Sequence, residues 1–127
     1  MAKILIIDDD KDLAQLTKTA LITKGYQAAI LHSAVNIIEE IKARKPDLIL
    51  MDIVMPGISG PEAVRHLKAD PLLKHVPVIF LTGLISSGEE DVEETGVNID
   101  GQTYQTLGKP YEIDALLGLV KKFLIKM

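Results

Sequence analysis

The sequence predicts an α/β fold: a doubly wound, five-stranded parallel sheet in the order 2-1-3-4-5, formed by a single domain over residues 1–127. Three observations lead there. Apolar runs alternate with stretches of helical periodicity along the chain. The runs are almost continuously apolar, as strands covered on both faces are. And 127 residues, 47% of them hydrophobic, suffice for one sheet with a helical layer on each side. Right-handed crossovers then place the topological switch point between strands 1 and 3.

Each element has its own signal. Lys3-Ile4-Leu5-Ile6-Ile7 reads as the first strand. Leu13, Leu16, Ala20 and Leu21 recur at helical spacing up to Gly25, a helix stop. Gln27 to Leu31 is the second strand. Ser33 is placed to cap a helix carrying Val35, Ile38 and Ile41, which ends before Lys45-Pro46. Asp47 to Met51 is the third strand, followed by the loop Val54 to Gly60. Pro61 suits the first turn of a third helix with Val64 and Leu67 inward, ending at Asp70-Pro71. Val76 to Leu81 is the fourth strand. Tyr104 to Gly108 precedes Lys109, and the last helix runs from about Tyr111 with Leu116, Leu117, Val120 and Phe123 or Leu124 inward.

The rhythm breaks between strands 4 and 5. Residues 86–96 hold one apolar side chain, Val92. Glu89/Glu93 and Glu90/Glu94 are like-charged i,i+4 pairs, each destabilising a helix by about 0.2–0.5 kcal/mol. A short or missing fourth helix is expected there. Asp100-Gly101, flanked by alternating residues, predicts a small hairpin with Ile99 opposite Gln102 and Val97 opposite Tyr104.

Composition narrows the function. The net charge of -4 argues against nucleic-acid binding through this domain, and the absence of cysteine excludes disulfides and thiolate metal sites. No apolar run approaches the roughly 18 residues of a membrane span. The chain enters its first strand directly, without a signal peptide, so a cytoplasmic location is expected.

Four strand ends carry the chemistry: Asp8-Asp9, Asp52, Thr82 and Lys109. In an open parallel sheet these ends share one edge, where ligands bind. Three crowded carboxylates require either a cation or raised pKa values. An all-oxygen donor set favours a hard ion, and Mg2+ suits it best, since that ion takes one or two carboxylates, keeps waters and prefers phosphate as co-ligand. Asp10 and Asp12 read as a solvated turn and helix start. The spacing Asp8-x-Asp10-x-Asp12 fails as a calcium loop because Leu13 and Thr19 fill its sixth and twelfth positions. His32, His66 and His75 lack ligand spacing and read as surface residues.

The segments Ile4 to Asp10, Leu48 to Gly60, Val78 to Gly83 and Gly108 to Tyr111 resemble a response-regulator receiver domain of two-component signalling, of the chemotaxis-regulator type with its flavodoxin-like fold. The likeness spans essentially the whole chain. It implies that Asp52 is the phosphoacceptor for a histidine kinase or histidine phosphotransfer protein, and that phosphorylation switches binding to an output protein, here unknown. It further implies that Asp8, Asp9, Asp52 and the Val54 carbonyl hold Mg2+, and that Thr82 and Lys109 bind phosphoryl oxygens. Lys109-Pro110 resembles the family's cis peptide. The implied protein is not an enzyme in the ordinary sense; it has only Mg-dependent self-phosphorylation and autodephosphorylation chemistry.

Two departures from the family follow. The aromatic often found three residues before the lysine is Thr106 here, so Tyr104 or the hairpin is expected to take over part of the signalling surface. Val54 and Leu84 stand where the family tunes hydrolysis, and neither can orient a water, which implies slow autodephosphorylation. The competing readings are an unphosphorylated interaction module and an aspartyl-phosphate phosphohydrolase. The latter lacks its second acid, because Val54 occupies that place.

Overall fold

The structure, a computed structural model, describes residues 2–83 and 96–125. The parallel sheet is built from β1 (Lys3–Ile7), β2 (Gln27–Leu31), β3 (Leu48–Asp52), β4 (Val78–Thr82) and the short β7 (Thr106–Gly108), in the order β2-β1-β3-β4-β7. Between β4 and β7 lies an antiparallel pair, β5 (Val97–Ile99) and β6 (Gln102–Tyr104). The helices among the described residues are α1 (Lys11–Thr23), α2 (Ile37–Arg44), α3 (Gly60–Ala69) and α4 (Ile113–Ile125). The expected short or missing fourth helix, with Leu84 and the Glu89 to Glu94 charges, lies outside the described residues.

Strand alternation divides the interior in two. Leu5, Ile7, Ile49, Met51, Val78 and Phe80 point to one side, where α2, α3 and the β5–β6 hairpin supply Ile37, Ile41, Val64, Leu67, Ile99 and Tyr104. Ile4, Ile6, Leu48, Leu50, Ile79 and Leu81 point to the other, against Ala14 and Leu21 of α1 and Leu116 and Val120 of α4. Each large side chain so buried contributes about 1.5–3 kcal/mol. The register sets Ile7 beside Met51, Asp52 beside Leu81 and Thr82 beside Gly108, so the strands finish level with one another.

The hairpin has the expected register, Val97 with Tyr104 and Ile99 with Gln102. Its turn residues Asp100 and Gly101 have φ of 52° and 90°. Positive φ at both positions defines the turn whose twist matches the flanking strands, and Asp-Gly is favoured there for that reason. The hairpin docks on α3: Arg65 Nε lies 3.3 Å from Asp100 Oδ2, and Lys68 Nζ lies 5.8 Å from the Tyr104 ring centroid.

Three local expectations are corrected. The inward residues of α1 are Ala14, Thr17 and Leu21, whereas Leu16 is 56% exposed. Helix α2 starts at Ile37, later than a Ser33 cap implies; Ser33 Oγ accepts from the Val35 N–H instead, and Asn36 turns the chain in the left-handed region with φ 55°. Its inward residues are Ile37 and Ile41, and Val35 is exposed. Finally, Tyr104 ends the hairpin as expected, but the last sheet strand holds only Thr106–Gly108 of the segment Tyr104 to Gly108. The chain leaves β6 at Gln105, whose carbonyl accepts from the Phe80 N–H (2.9 Å), and enters the sheet only at Thr106.

Candidate functional site

Asp8 follows β1 directly. Its N–H donates to the Leu31 carbonyl at 3.0 Å, continuing the sheet ladder by one residue and fixing a fully buried carboxylate. Asp8 Oδ1 accepts from the Asp10 N–H at 3.0 Å, and Asp10 in turn caps α1 by accepting from the Leu13 N–H at 3.1 Å. One side chain thus shapes the acidic turn and the next starts the helix. Asp9 between them is exposed.

Asp52 ends β3. Its Oδ1 accepts from the Val54 N–H at 3.3 Å and its Oδ2 from Lys109 Nζ at 3.2 Å. The loop beyond is folded back by two backbone bonds, Ile53 N–H to Leu81 O (3.1 Å) and Gly60 N–H to Ile53 O (2.7 Å). This return brings Gly60 so close that a β-carbon there would lie 2.7 Å from Phe80 Cε1 and 3.0 Å from the Asp52 carbonyl oxygen. A capping box between Ser59 and Glu62 then starts α3.

The lysine joins the carboxylates. Lys109 N–H donates to the Thr82 carbonyl at 2.8 Å, the Lys109-Pro110 bond is cis, and Nζ lies 2.7 Å from Asp8 Oδ2. Asp8 Oδ2 is buried and makes no aligned hydrogen bond among the described residues, so its contact with the ammonium is an ion pair only. Thr82, 2% exposed, ends β4 in register with Gly108.

Electrostatics follow from this crowding. Burial raises the Asp52 pKa above its ordinary value; Lys109 opposes the rise and Asp8 adds to it. Burial pulls the Lys109 ammonium down, but Asp8 and then Asp52 outweigh it, so its pKa stands above that of a free lysine. Oxygens of Asp8, Asp9 and Asp52 lie within 4.8 Å of one another. With one ammonium beside them they leave two negative charges, and the donors are all oxygen. Asp8 Oδ2, buried and engaged only by the ammonium at 2.7 Å among the described residues, keeps lone-pair capacity for a further cation. This set fits a divalent hard cation.

The five strand-end residues singled out in the sequence therefore share one edge of the sheet, with direct contacts among Asp8, Asp52 and Lys109. Val54, 59% exposed, covers the rim. Tyr104 and Thr106 lie apart from these contacts. Tyr104 is 6% exposed and packs edge-on against Phe80, ring centroids 5.9 Å apart. Thr106 pairs in register with Phe80; it is buried, and its Oγ1 lacks a hydrogen bond among the described residues. Sequence reading passed over Thr17 and underused Tyr111. Their hydroxyls lie 2.6 Å apart beside the site. The available signal was a threonine on the buried stripe of a helix, which needs a partner.

Known proteins agree with this geometry. The family model for the response regulator receiver domain matches residues 4–121. The phosphate regulon transcriptional regulatory protein PhoB of Pseudomonas aeruginosa is 36% identical over 95% of this chain and 51% of its own length. The polar-differentiation response regulator DivK of Brucella ovis is 29% identical over 95% of this chain and 94% of its own. This chain thus spans about half of the first relative and nearly all of the second. Among solved structures, the receiver domain of Francisella response regulator 1452 superposes with a TM-score of 0.80 at 27% identity, covering 99% of this chain and 98% of that one. The signal receiver domain of a signal transduction histidine kinase from Syntrophus aciditrophicus gives 0.81 at 28%, covering 100% and 92%. A doubly wound sheet, a lysine-bridged acidic pocket at its switch point and these relatives together place the chain in the response regulator receiver domain family of two-component systems.

Proposed function

We propose that Asp52 accepts a phosphoryl group from a phosphohistidine on a histidine kinase or histidine phosphotransfer protein, and that the resulting aspartyl phosphate alters binding to an output partner. The observation that carries this is the Lys109 ammonium set between Asp8 (2.7 Å) and Asp52 (3.2 Å). A carboxylate oxygen of Asp52 attacks phosphorus, the P–N bond breaks, and its electron pair returns to the imidazole. Such transfer depends mainly on positioning and charge stabilisation. Lys109 is placed to follow the charge from the carboxylate to the new phosphoryl oxygens. The Thr82 hydroxyl, at the neighbouring strand end, would meet another. Asp8, Asp9 and Asp52, with the Val54 carbonyl, would hold Mg2+, which when bound supplies neutralising charge to the phosphoryl oxygens.

The rim suits a protein donor. A groove of about 580 Å³ is lined by Asp10, Asp12, Leu13, Leu16, Lys109 and Pro110, so the exposed Leu16 offers apolar contact next to the reacting carboxylate. The Val54 side chain offers no acid or hydrogen-bonding group, which supports a long-lived phosphoryl group and argues against a phosphohydrolase. We read residues 1–127 as one receiver unit. Incubation with acetyl phosphate and Mg2+ should label the wild type and not Asp52→Asn; equal labelling of the two would remove Asp52 from this role.

A further inference from the structure

We infer that the Tyr111–Thr17 hydroxyl pair is a positioning latch, tying the segment that carries Lys109 to helix α1 and so holding its ammonium between Asp8 and Asp52. This rests on the aspartyl-phosphate reading above and adds two residues to it, neither of which touches the reacting atoms.

Lys109 lies in the short connection between β7 and α4. Its N–H is fixed by the Thr82 carbonyl, but the next residue is Pro110, which has no N–H to donate. Tyr111 follows. Its hydroxyl lies 2.6 Å from Thr17 Oγ1, 94 positions away in sequence. Thr17 is fully buried, between Ala14 and Leu21 on the inward stripe of α1. A buried hydroxyl without a partner is costly, so the bond selects one position for the tyrosine.

Helix α1 is itself anchored in the pocket. Its cap, Asp10, donates its N–H to Asp8 Oδ1 at 3.0 Å. The latch therefore joins the acidic half of the site to the basic half by a route outside the pocket. A lysine side chain is long and flexible, so its head group is well placed only if its stem is. A phenylalanine ring would fill the same space against α1 and α4, yet it would leave sliding along the ring axis uncontrolled. The hydroxyl contact is what sets the depth.

The experiment is self-labelling by acetyl phosphate at saturating donor and Mg2+, with melting temperatures measured in parallel. Misplacement by about 1 Å can cost about a hundredfold in rate, so loss of this single bond is expected to slow labelling about three- to tenfold. Tyr111→Phe and Thr17→Val should each do so, and the double variant should be no slower than either. Thr17→Ser keeps the hydroxyl while losing a buried methyl; it should label at the wild-type rate although it melts lower. Rates that follow melting temperature across this set would overturn the latch and leave a merely structural contact. Unchanged rates in both hydroxyl deletions would overturn it as well. Labelling that survives Asp52→Asn, or fails in the wild type, would instead bring down the aspartyl-phosphate reading, and the latch with it.

Discussion

Replacing Asp52 by asparagine should stabilise the metal-free protein, even though it deletes the proposed phosphoacceptor. Asp52 faces Asp8 at up to 4.8 Å, a repulsion of about 3.5 kcal/mol at an effective dielectric near 20. Asp9 is exposed, and in a water-like dielectric it adds only about 1 kcal/mol. Lys109 at 3.2 Å returns about 5 kcal/mol. These contributions nearly cancel, so burial of a carboxylate only 7% exposed decides the sign, in line with its raised pKa. A net gain of about 1 kcal/mol for asparagine corresponds to a melting temperature higher by about 3–5 °C in a chain of this length.

The pH dependence has a definite direction. Because the folded pKa lies above the ordinary 3.8, the native state binds more protons than the unfolded one between those two values. Wild-type stability falls as pH rises through that window. The advantage of Asp52→Asn is thus absent below it and fully open above it. Mg2+ acts the other way: at about ten times its Kd a ligand adds about 1.4 kcal/mol to the form that binds it, which offsets the gap. Thermal melts of both proteins across this pH range, in chelator and in Mg2+, test the reasoning. An asparagine variant that melts below wild type in chelator at neutral pH would refute it, as would a gap indifferent to Mg2+.

Other perturbations act through neighbouring contacts. Lys109→Met strands the buried Asp8 carboxylate and should cost about 3–5 kcal/mol in chelator at neutral pH, partly restored by Mg2+; a loss that Mg2+ leaves untouched in denaturant titrations would count against the shared charge. Gly60→Ala forces a methyl toward Phe80 Cε1 and the Asp52 carbonyl and should cost about 1–3 kcal/mol, measured by urea unfolding; a neutral result would mean that the loop yields freely. Asp70 bridges to Lys42 at 2.8 Å, and this bond, with the Leu72 N–H, lowers its pKa. Its contribution is present above the ordinary carboxylate value of 3.8 and is lost as pH falls through the lower folded one. The deficit of Asp70→Asn in thermal melts should therefore shrink on acidification, and a deficit constant with pH would contradict the assignment.

Much of the architecture was legible in the sequence because its signals are local. The apolar runs ending at Ile7, Met51 and Leu81 could only be strands covered on both faces, and level strand ends follow from that. Asp100-Gly101 fixed the hairpin because few other dipeptides accept positive φ twice. Helix faces were less legible. Leu13 and Leu16 are apolar yet sit toward the rim of α1, since a small residue, Ala14, lets the helix approach the sheet, and Thr17 and Leu21 complete the inward stripe. Asn36 shortens α2 through a left-handed turn that no cap residue announced. Tyr104 read as part of the last strand because alternation continues across Gln105, while hydrogen bonding changes there. The pairing of Thr17 with Tyr111 depends on tertiary approach, and only the threonine's place on the inward stripe of α1 hinted that it needed a partner.

The division of the interior by the sheet bears on how news of the site could spread. Strand β4 sends Phe80 toward Tyr104 and the hairpin, and Leu81 toward the layer that holds α4. A rearrangement that tugs on Thr82 cannot be swallowed by one layer, because adjacent links of the same strand belong to different ones. Proteins gripping opposite flanks of this molecule would feel the same chemical event, each through its own set of packed side chains.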